Sequence, residues 1–237
     1  MASWQTTEKS ATKEMRKVVR KGNLFMTYNK GIIMAKYDKK SALQIIIAAA
    51  KQYDEKLNNR HFLIVYQEGR DIKTVCVGFR DMNFLHMTGV TSKLSAQQFC
   101  KACLNHKLSE NDFEIDNKGK VQQKLMVLPY LADLLYHNCM IGDFINSGIC
   151  IKADYFIGNT KAVLSVGFRY GKNVDFPVTL YKEDVRKLSQ PTNKVLEIFA
   201  KDYQQQSYCE CTYLSKGQEI TKLSIPEDIK ELIQIES

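Results

Sequence analysis

The stretch NFLHMTGV, residues 83–90, combines an apolar run with a histidine, a hydroxyl group and a glycine. Its apolar character predicts a strand, and residues two apart in a strand point to the same face of the sheet. His86 and Thr88 would then present an imidazole and a hydroxyl side by side. The pair is either a catalytic base with its hydroxyl partner or a histidine that bonds to backbone at a strand end.

The sequence on both sides of this stretch predicts an α+β domain. Helical periodicity with Ser41 as N-cap predicts a long helix over residues 41–59, and Ser95 and Gln98 form a capping box for a second helix. Pro129 should kink or divide a third helix over residues 121–138. Short helices are expected at 181–188 and 225–236. Strands are expected at 61–67, 72–80, 148–158, 161–169, 193–201 and 207–215, with an edge strand from Pro177. The helices come first in the sequence and the strands of an antiparallel sheet mostly follow, which is the order of an α+β domain.

The charge of the chain is concentrated at its N-terminus. Residues 1–40 carry ten Lys or Arg against three acids, so +7 of the whole chain's +8 lies there. Residues 7–21 predict a helix, and the turn Asn29-Lys30-Gly31 predicts a hairpin over 23–37. We therefore expect a basic helix-plus-hairpin appendage at 1–40, a main domain at 41–203, and an extension of strand and helix at 204–237.

The basic appendage suggests a polyanionic partner. Blocks of cations often approach nucleic acid, although they can also form an ordinary solvated helix face. The candidate nucleic-acid contacts in this segment are Lys13, Arg16, Lys17, Arg20 and Lys21.

The cellular compartment is predicted from what the sequence lacks. No apolar run approaches the roughly 18 residues that a membrane span requires. The start, MASWQTTEKS, has no cationic segment followed by an apolar one, so no secretory signal is expected. Seven cysteines, an odd number, then favour reduced thiols over disulfides. We expect a cytoplasmic protein that does not contact a membrane.

A zinc site is the metal centre that the sequence could offer. Cys100, Cys103 and His106 follow one another at intervals of three residues. On a predicted helix of 3.6 residues per turn, their side chains would point in progressively different directions around the axis. A structural zinc would also need a second ligand pair, for which Cys209 and Cys211 are the available candidates. Free, packed thiols are favoured, and neither a metal nor a cofactor is expected.

NFLHMTGV, placed after two predicted strands and before a Ser-capped helix, resembles the FLHLTG signature of a nuclease family. The family is the fourth group of the phage-associated barnase/EndoU/colicin E5-D/RelE-like nuclease domains. Met87 replaces the more usual leucine. The resemblance covers about residues 41–201 and continues, in order, through KLMVLPYLADLL, IGDF, IKADYFIGNTKAVLSVGFR, FPVTLYKEDVRKL and NKVLEIFAK.

This resemblance implies N-terminal helices packed on a twisted antiparallel sheet whose open face receives RNA. It implies metal-independent cleavage in which a base activates a ribose 2′-hydroxyl and an acid protonates the leaving oxygen. His86 would be that base or acid, and Thr88 would orient the phosphate or the imidazole. Arg169, with Lys172 as an alternate, would stabilise the phosphate, and Thr179 would add a hydroxyl contact. Asn159 would hold a ribose or, more simply, make a turn. Lys201 is a further basic residue at a strand end.

One absence separates two functional hypotheses. No histidine follows His137, so the second histidine of a two-histidine ribonuclease is missing from the later strands. The first hypothesis is a phage- or mobile-element-encoded endoribonuclease whose second proton-transfer group is a lysine, a tyrosine or water. The second is a non-catalytic anti-defence protein, for example a CRISPR-effector inhibitor. It would bind a host nucleoprotein complex or its nucleic acid through the basic segment. A plain structural or virion protein is the remaining class.

Overall fold

A computed structural model describes residues 25–27, 32–34, 37–116, 119–145, 152–161, 163–219 and 225–235. The chain divides into two compact units, Met1–Asp38 and Lys39–Ser237. In the first, β1 (Phe25–Thr27) pairs antiparallel with β2 (Ile32–Met34). The helix predicted at residues 7–21 lies outside the described residues. The second unit includes the residues after 203, which the sequence had set apart as an extension.

Apart from the helix at Asp81–Thr88, the helices of the second unit follow the predicted order. They are α1 (Lys39–Lys56), α2 (Asp81–Thr88), α3 (Ala96–Leu104), α4 (Lys120–Val127), a 3₁₀ helix (Leu128–Tyr136), α5 (Val185–Leu188) and α6 (Glu227–Lys230). The capping box of Ser95 and Gln98 is confirmed at the start of α3. Pro129 divides α4 from the 3₁₀ helix, since proline cannot donate the hydrogen bond that would continue the α-helix. The final helix is shorter than expected. No helix of the described chain combines the length and the apolar character needed to cross a membrane.

Among the described residues, eight strands of the second unit form one antiparallel sheet, so the α+β class is confirmed. Within the described residues its order is β10-β9-β8-β7-β11-β3-β4, and β12 also pairs with β11. The strands are β3 (Arg60–Glu68), β4 (Asp71–Phe79), β7 (Met140–Phe144), β8 (Tyr155–Asn159), β9 (Leu164–Arg169), β10 (Phe176–Tyr181), β11 (Ser189–Asp202) and β12 (Glu210–Leu214). A small ladder, β5 (Thr91–Ser92) with β6 (Phe113–Glu114), lies apart from it.

The sheet curls until its two outer strands meet. Val77 on β4 bridges to Asp175, just before β10. The amide of Gly78 donates to the carbonyl of Asp175 at 2.8 Å, and the amide of Asp175 donates to the carbonyl of Cys76 at 2.9 Å. We call this contact the seam. Because the seam joins the two edges of the sheet, it brings the end of β4 beside the start of β10.

Both faces of the sheet around β3 are covered, which corrects the expectation of an open face. On one face, Phe62 and Phe79 pack on each other and on the aromatic rings of α1 and the 3₁₀ helix. On the other face, Leu63, Val65 and Phe199 form a cluster with Ile225 of the C-terminal segment. The C-terminal residues therefore cover the surface on which RNA was expected.

The prediction of a strand for NFLHMTGV is wrong, because residues 81–88 form α2. The buried side chains of this helix are Phe84, Met87 and Thr88, spaced by three and four residues as one helical face requires. Eight residues are too few to separate this spacing from strand alternation. Residues two apart point to different sides of a helix, so His86 and Thr88 do not share a face. The IGDF segment of the resemblance forms part of β7, and Asp143 lies within that strand.

Candidate functional site

An open groove of about 820 Å³ lies at the margin of the sheet beside the seam. It is bounded by the start of β3, the ends of β4 and β11, the exposed side of α2 and the segment leading into β10. Its lining residues are His61, Gly78, Arg80, Met82, Asn83, His86, Asn173, Val174, Asp175, Phe176, Pro177, Val178, Lys201 and Tyr203. Two histidines and two cations thus converge from separate parts of the chain.

His86 reaches the groove because it lies on the side of α2 that is not buried in the core. Met82, Asn83 and His86 follow one another at helical spacing and form the side of α2 that lines the groove. The Asn83 side chain accepts a hydrogen bond from the Arg80 amide at 2.9 Å and donates to the carbonyl of Pro177 at 3.4 Å. Asn83 therefore ties the start of α2 to β10, and the His86 side chain is exposed.

Thr88 and Gly89 end the helix rather than line the groove. Thr88 is fully buried; its hydroxyl donates to the carbonyl of Leu85 at 2.7 Å and accepts from the amide of Val90 at 3.3 Å. Gly89 has φ of 76°, the left-handed conformation that glycine adopts most readily at a helix end. The expectation that Thr88 orients a phosphate or the His86 ring is thus replaced by a capping role.

Lys124 of α4 completes this helix end. Its ammonium donates to the carbonyl of His86 at 2.9 Å. A Cβ on Gly89 would lie 2.6 Å from the Cδ of Lys124, so the glycine also leaves room for the lysine chain. Burial, and secondarily the charge of Lys120, lowers the pKa of Lys124 to about 8. The last turn of α2, which carries His86, is therefore held from outside the helix.

His61, which the sequence predicts as the first residue of a strand, is the second imidazole of the groove. In the antiparallel register it lies between Lys201 on β11 and Gly78 on β4. A Cβ on Gly78 would stand 2.9 Å from the His61 Cδ2 and 3.2 Å from its Nε2. Glycine at this position thus provides the space that the imidazole occupies.

The surroundings of His61 favour its neutral form. Burial lowers its pKa, and the positive charges of Lys201 and Arg80 lower the pKa further. A neutral imidazole has one nitrogen free to accept a proton. The neutral form of His61 can therefore accept a proton, as a general base must.

The cations of the groove are held by aromatic rings. The guanidinium carbon of Arg80 lies 4.4 Å from the centroid of the Tyr203 ring, and the His61 ring meets Tyr203 edge-on at 5.0 Å. The ammonium of Lys201 donates to the carbonyl of Gln206 at 2.7 Å and lies 4.8 Å from the centroid of the Tyr208 ring. These contacts hold positive charge beside His61, where a phosphate could be bound.

The remaining residues singled out from the sequence lie outside this lining. Arg169 is exposed at the end of β9, where it pairs with Phe176 of the lining. Thr179 lies on β10 opposite Gly167, and a Cβ on Gly167 would come 2.9 Å from its methyl group and from the Phe156 ring. Its side chain therefore packs on the face of the sheet that carries Phe156.

The other candidates have local surroundings of their own. Lys172 is exposed in the loop before Asn173. The Asn159 side chain accepts from the amide of Lys161 at 2.8 Å and so makes a turn. The five basic candidates of the N-terminal segment, namely Lys13, Arg16, Lys17, Arg20 and Lys21, lie outside the described residues.

Of the four cysteines considered as zinc ligands, two are packed in the core, Cys209 is exposed and Cys211 is partly buried. Cys100 and Cys103 are buried on α3, and burial raises the pKa of each thiol to about 12. Among the residues that the structure describes, no group of three or more His, Cys, Asp or Glu side chains is arranged to hold a metal ion.

The curled sheet, with helices on one face and an imidazole-lined groove at its margin, is compatible with a small nuclease domain. The family model described as phage-Barnase-EndoU-ColicinE5/D-RelE like nuclease4 matches residues 45–217. The chain belongs to this nuclease-like family, as its resemblance to the FLHLTG signature indicated. Comparisons with curated proteins and with solved structures found no match.

Proposed function

We propose that this chain is a metal-independent endoribonuclease of a phage or other mobile element, which cleaves RNA through attack of the ribose 2′-hydroxyl. The observation that carries the proposal is the presence of two imidazoles, His61 and His86, in one groove with Arg80 and Lys201. Two proton-transfer groups and a source of positive charge are what this transesterification requires.

The first proton transfer is assigned to His61. A nitrogen of its neutral imidazole takes the proton of the 2′-hydroxyl, and the 2′-oxygen forms a bond to the adjacent phosphorus. The lowered pKa of His61 supports this assignment, because a base must be unprotonated before it acts. The missing second histidine of the later strands is thus supplied by an earlier strand.

The second proton transfer is assigned to His86. As the bond between phosphorus and the 5′-oxygen breaks, His86 gives its proton to that oxygen, which leaves as a hydroxyl group. The products are a 2′,3′-cyclic phosphate and a 5′-hydroxyl end. Arg80 and Lys201 bind the phosphoryl oxygens on which charge develops during the reaction.

Purified protein and an RNA oligonucleotide test the proposal. We expect cleavage with a cyclic-phosphate product, and none at a linkage whose ribose lacks its 2′-hydroxyl. His61→Gln and His86→Gln should each lower the rate by roughly 10²- to 10⁴-fold, the usual contribution of general acid–base catalysis. His137→Gln is the matched control, since His137 is exposed and lies outside the groove lining.

Equal cleavage by His61→Gln and the wild-type protein would reject the assignment of the base. Cleavage of the deoxy-substituted linkage would reject the 2′-hydroxyl mechanism. Complete loss of activity on chelation of divalent metals would reject a metal-independent reaction.

A non-catalytic anti-defence function is the second candidate, and the +7 charge of residues 1–40 favours it. Such a protein would bind a host nucleoprotein complex or its nucleic acid mainly through this segment. Replacing Lys13, Arg16, Lys17, Arg20 and Lys21 by Gln should then abolish binding and flatten its salt dependence. Unchanged affinity and salt slope would exclude the segment as the contact, whereas loss of binding without any RNA cleavage by the wild-type protein would favour this second function.

A further inference from the structure

Exposed apolar side chains border the groove in addition to the cations and imidazoles. Met82, Phe176 and Tyr203 are 54%, 39% and 50% exposed, respectively. They are three of the nine large apolar side chains that are exposed among the described residues, and all three line this groove. Apolar surface exposed next to phosphate-binding charge is the combination that binds a nucleotide through its base and its backbone together.

Tyr203 is the most firmly oriented of the three. Its amide donates to the carbonyl of Asn59 at 2.8 Å, which fixes its backbone directly after β11. Arg80 lies 4.4 Å from the centroid of its ring, and the His61 ring meets it at an interplanar angle of 81°. The ring is therefore held beside the proposed base while half of its surface stays exposed.

An aromatic ring beside a phosphate site binds a nucleobase by stacking. The bases of a duplex have their faces covered by their neighbours, so a base must be unpaired and unstacked before it can lie against a protein side chain. The partly recessed position of His61 imposes the same condition, since the reacting phosphate must enter the groove to reach it.

We propose that Tyr203, assisted by Phe176 and Met82, is a nucleobase-stacking platform that makes single-stranded RNA the ligand of this groove. Stacking on a ring accepts every base, because each base has a π-face. The platform therefore selects unpaired RNA without selecting its sequence. This inference rests on the proposed function for its substrate but concerns binding rather than cleavage.

An uncleavable probe separates binding from the proposed chemistry. The probe is a 2′-O-methyl RNA oligonucleotide with 2-aminopurine at its centre, offered to the full-length protein as a single strand and as a duplex. We expect the single strand to bind at least tenfold more tightly than the duplex and its fluorescence to be quenched by stacking. Tyr203→Ala should weaken single-strand binding by roughly five- to a hundredfold and remove the quenching, whereas Tyr203→Phe should retain both. Tyr130→Ala is the matched control, since Tyr130 is 52% exposed and lies outside the groove lining.

Each outcome decides for or against the platform. Equal affinity for single strand and duplex, or unchanged binding by a folded Tyr203→Ala variant, would overturn the inference. Quenching that disappears with Tyr203→Ala while Tyr130→Ala binds normally would establish it, even if RNA carrying its 2′-hydroxyls is not cut. Cleavage of RNA together with unchanged binding by Tyr203→Ala would instead support the nuclease and reject the platform.

Discussion

His61 on β3 and Lys201 on β11 face each other across neighbouring strands, so that a recessed imidazole lies beside a fixed positive charge. The strand register creates this pair from residues that are distant in the chain. The positive charge of Lys201 lowers the pKa of His61 beyond the effect of burial alone.

Replacing Lys201 by Met should move the acidic limb of the pH–rate profile toward higher pH. Burial is the largest cause of the lowered pKa of His61, and the charge of Lys201 is the next. Removing that charge raises the pKa of His61, so the base becomes protonated at a higher pH. The measurement is kcat/KM for RNA cleavage across the acidic and neutral range. Lys194→Met is the control, since Lys194 is an exposed cation of β11 outside the groove; an unmoved limb in the Lys201 variant would contradict the assignment of His61.

Gly78→Ala should abolish most activity while the protein remains folded. The added methyl would lie 2.8 Å from the Cγ1 of Val174 and 2.9 Å from the Cδ2 of His61, so the imidazole must move. Gly167→Ala is a matched control, because its methyl would also meet side-chain atoms at 2.9 Å but outside the groove. Thermal unfolding and RNA cleavage should be measured on both. Equal losses of activity per folded molecule would show that strain in the sheet, rather than displacement of His61, is responsible.

Thr88→Val should lower stability without changing the activity of the folded protein. The substitution removes the hydroxyl that joins Leu85 to Val90 and leaves a buried amide without a partner, at a cost of about 1–3 kcal/mol. Thr88→Ser keeps the hydroxyl and should retain most of the stability. Denaturant unfolding gives the free energy of unfolding of each variant. If Thr88→Val lost RNA cleavage but kept the free energy of unfolding of the wild-type protein, the result would support the catalytic role that the family resemblance implies for Thr88.

Glu197→Gln should stabilise the protein at alkaline pH and remove a pH dependence. Glu197 is fully buried on β11 with both carboxyl oxygens lacking hydrogen-bond partners, and burial raises its pKa to about 7. Because the folded-state pKa is raised, ionisation of Glu197 does not reduce stability below the pKa of the unfolded chain, and stability is lost as the pH rises from there toward 7. The shift corresponds to about 3 kcal/mol. Unfolding free energies at acidic and alkaline pH test this; a wild-type protein equally stable at both would contradict it. Glu219→Gln provides a comparison at a carboxyl outside the sheet.

Local patterns predicted much of the fold. The capping box of Ser95 and Gln98, the break at Pro129 and the apolar strands β3 and β4 are each encoded within a few residues. NFLHMTGV was misread because its eight residues satisfy both periodicities, and the choice depends on which face the surrounding core buries. His86 was identified from its motif, whereas His61 was not, since only the register of β3 with β4 and β11 brings it to Gly78 and Lys201.

Arg80 and Tyr203 were missed for the same reason. Neither belongs to a recognisable pattern, and their contact depends on the pairing of β3 with both β4 and β11. Thr179, by contrast, was expected in the site because the family resemblance implied it, and alternation along a strand does not reveal which face is buried. Local sequence patterns therefore predicted individual helices and strands better than the strand register and the side-chain contacts that form the groove.

The two imidazoles of the groove, His61 and His86, come from the first half of the second unit. Lys201 comes from the end of β11 and Tyr203 from directly after it, and Asp175 of the seam lies between these two groups along the chain. A chain still emerging from the ribosome thus possesses both histidines long before it possesses Lys201 or Tyr203. The proposed RNA-cleaving activity therefore requires nearly the whole domain to have been translated, because Lys201 and Tyr203 lie where the last long strand ends.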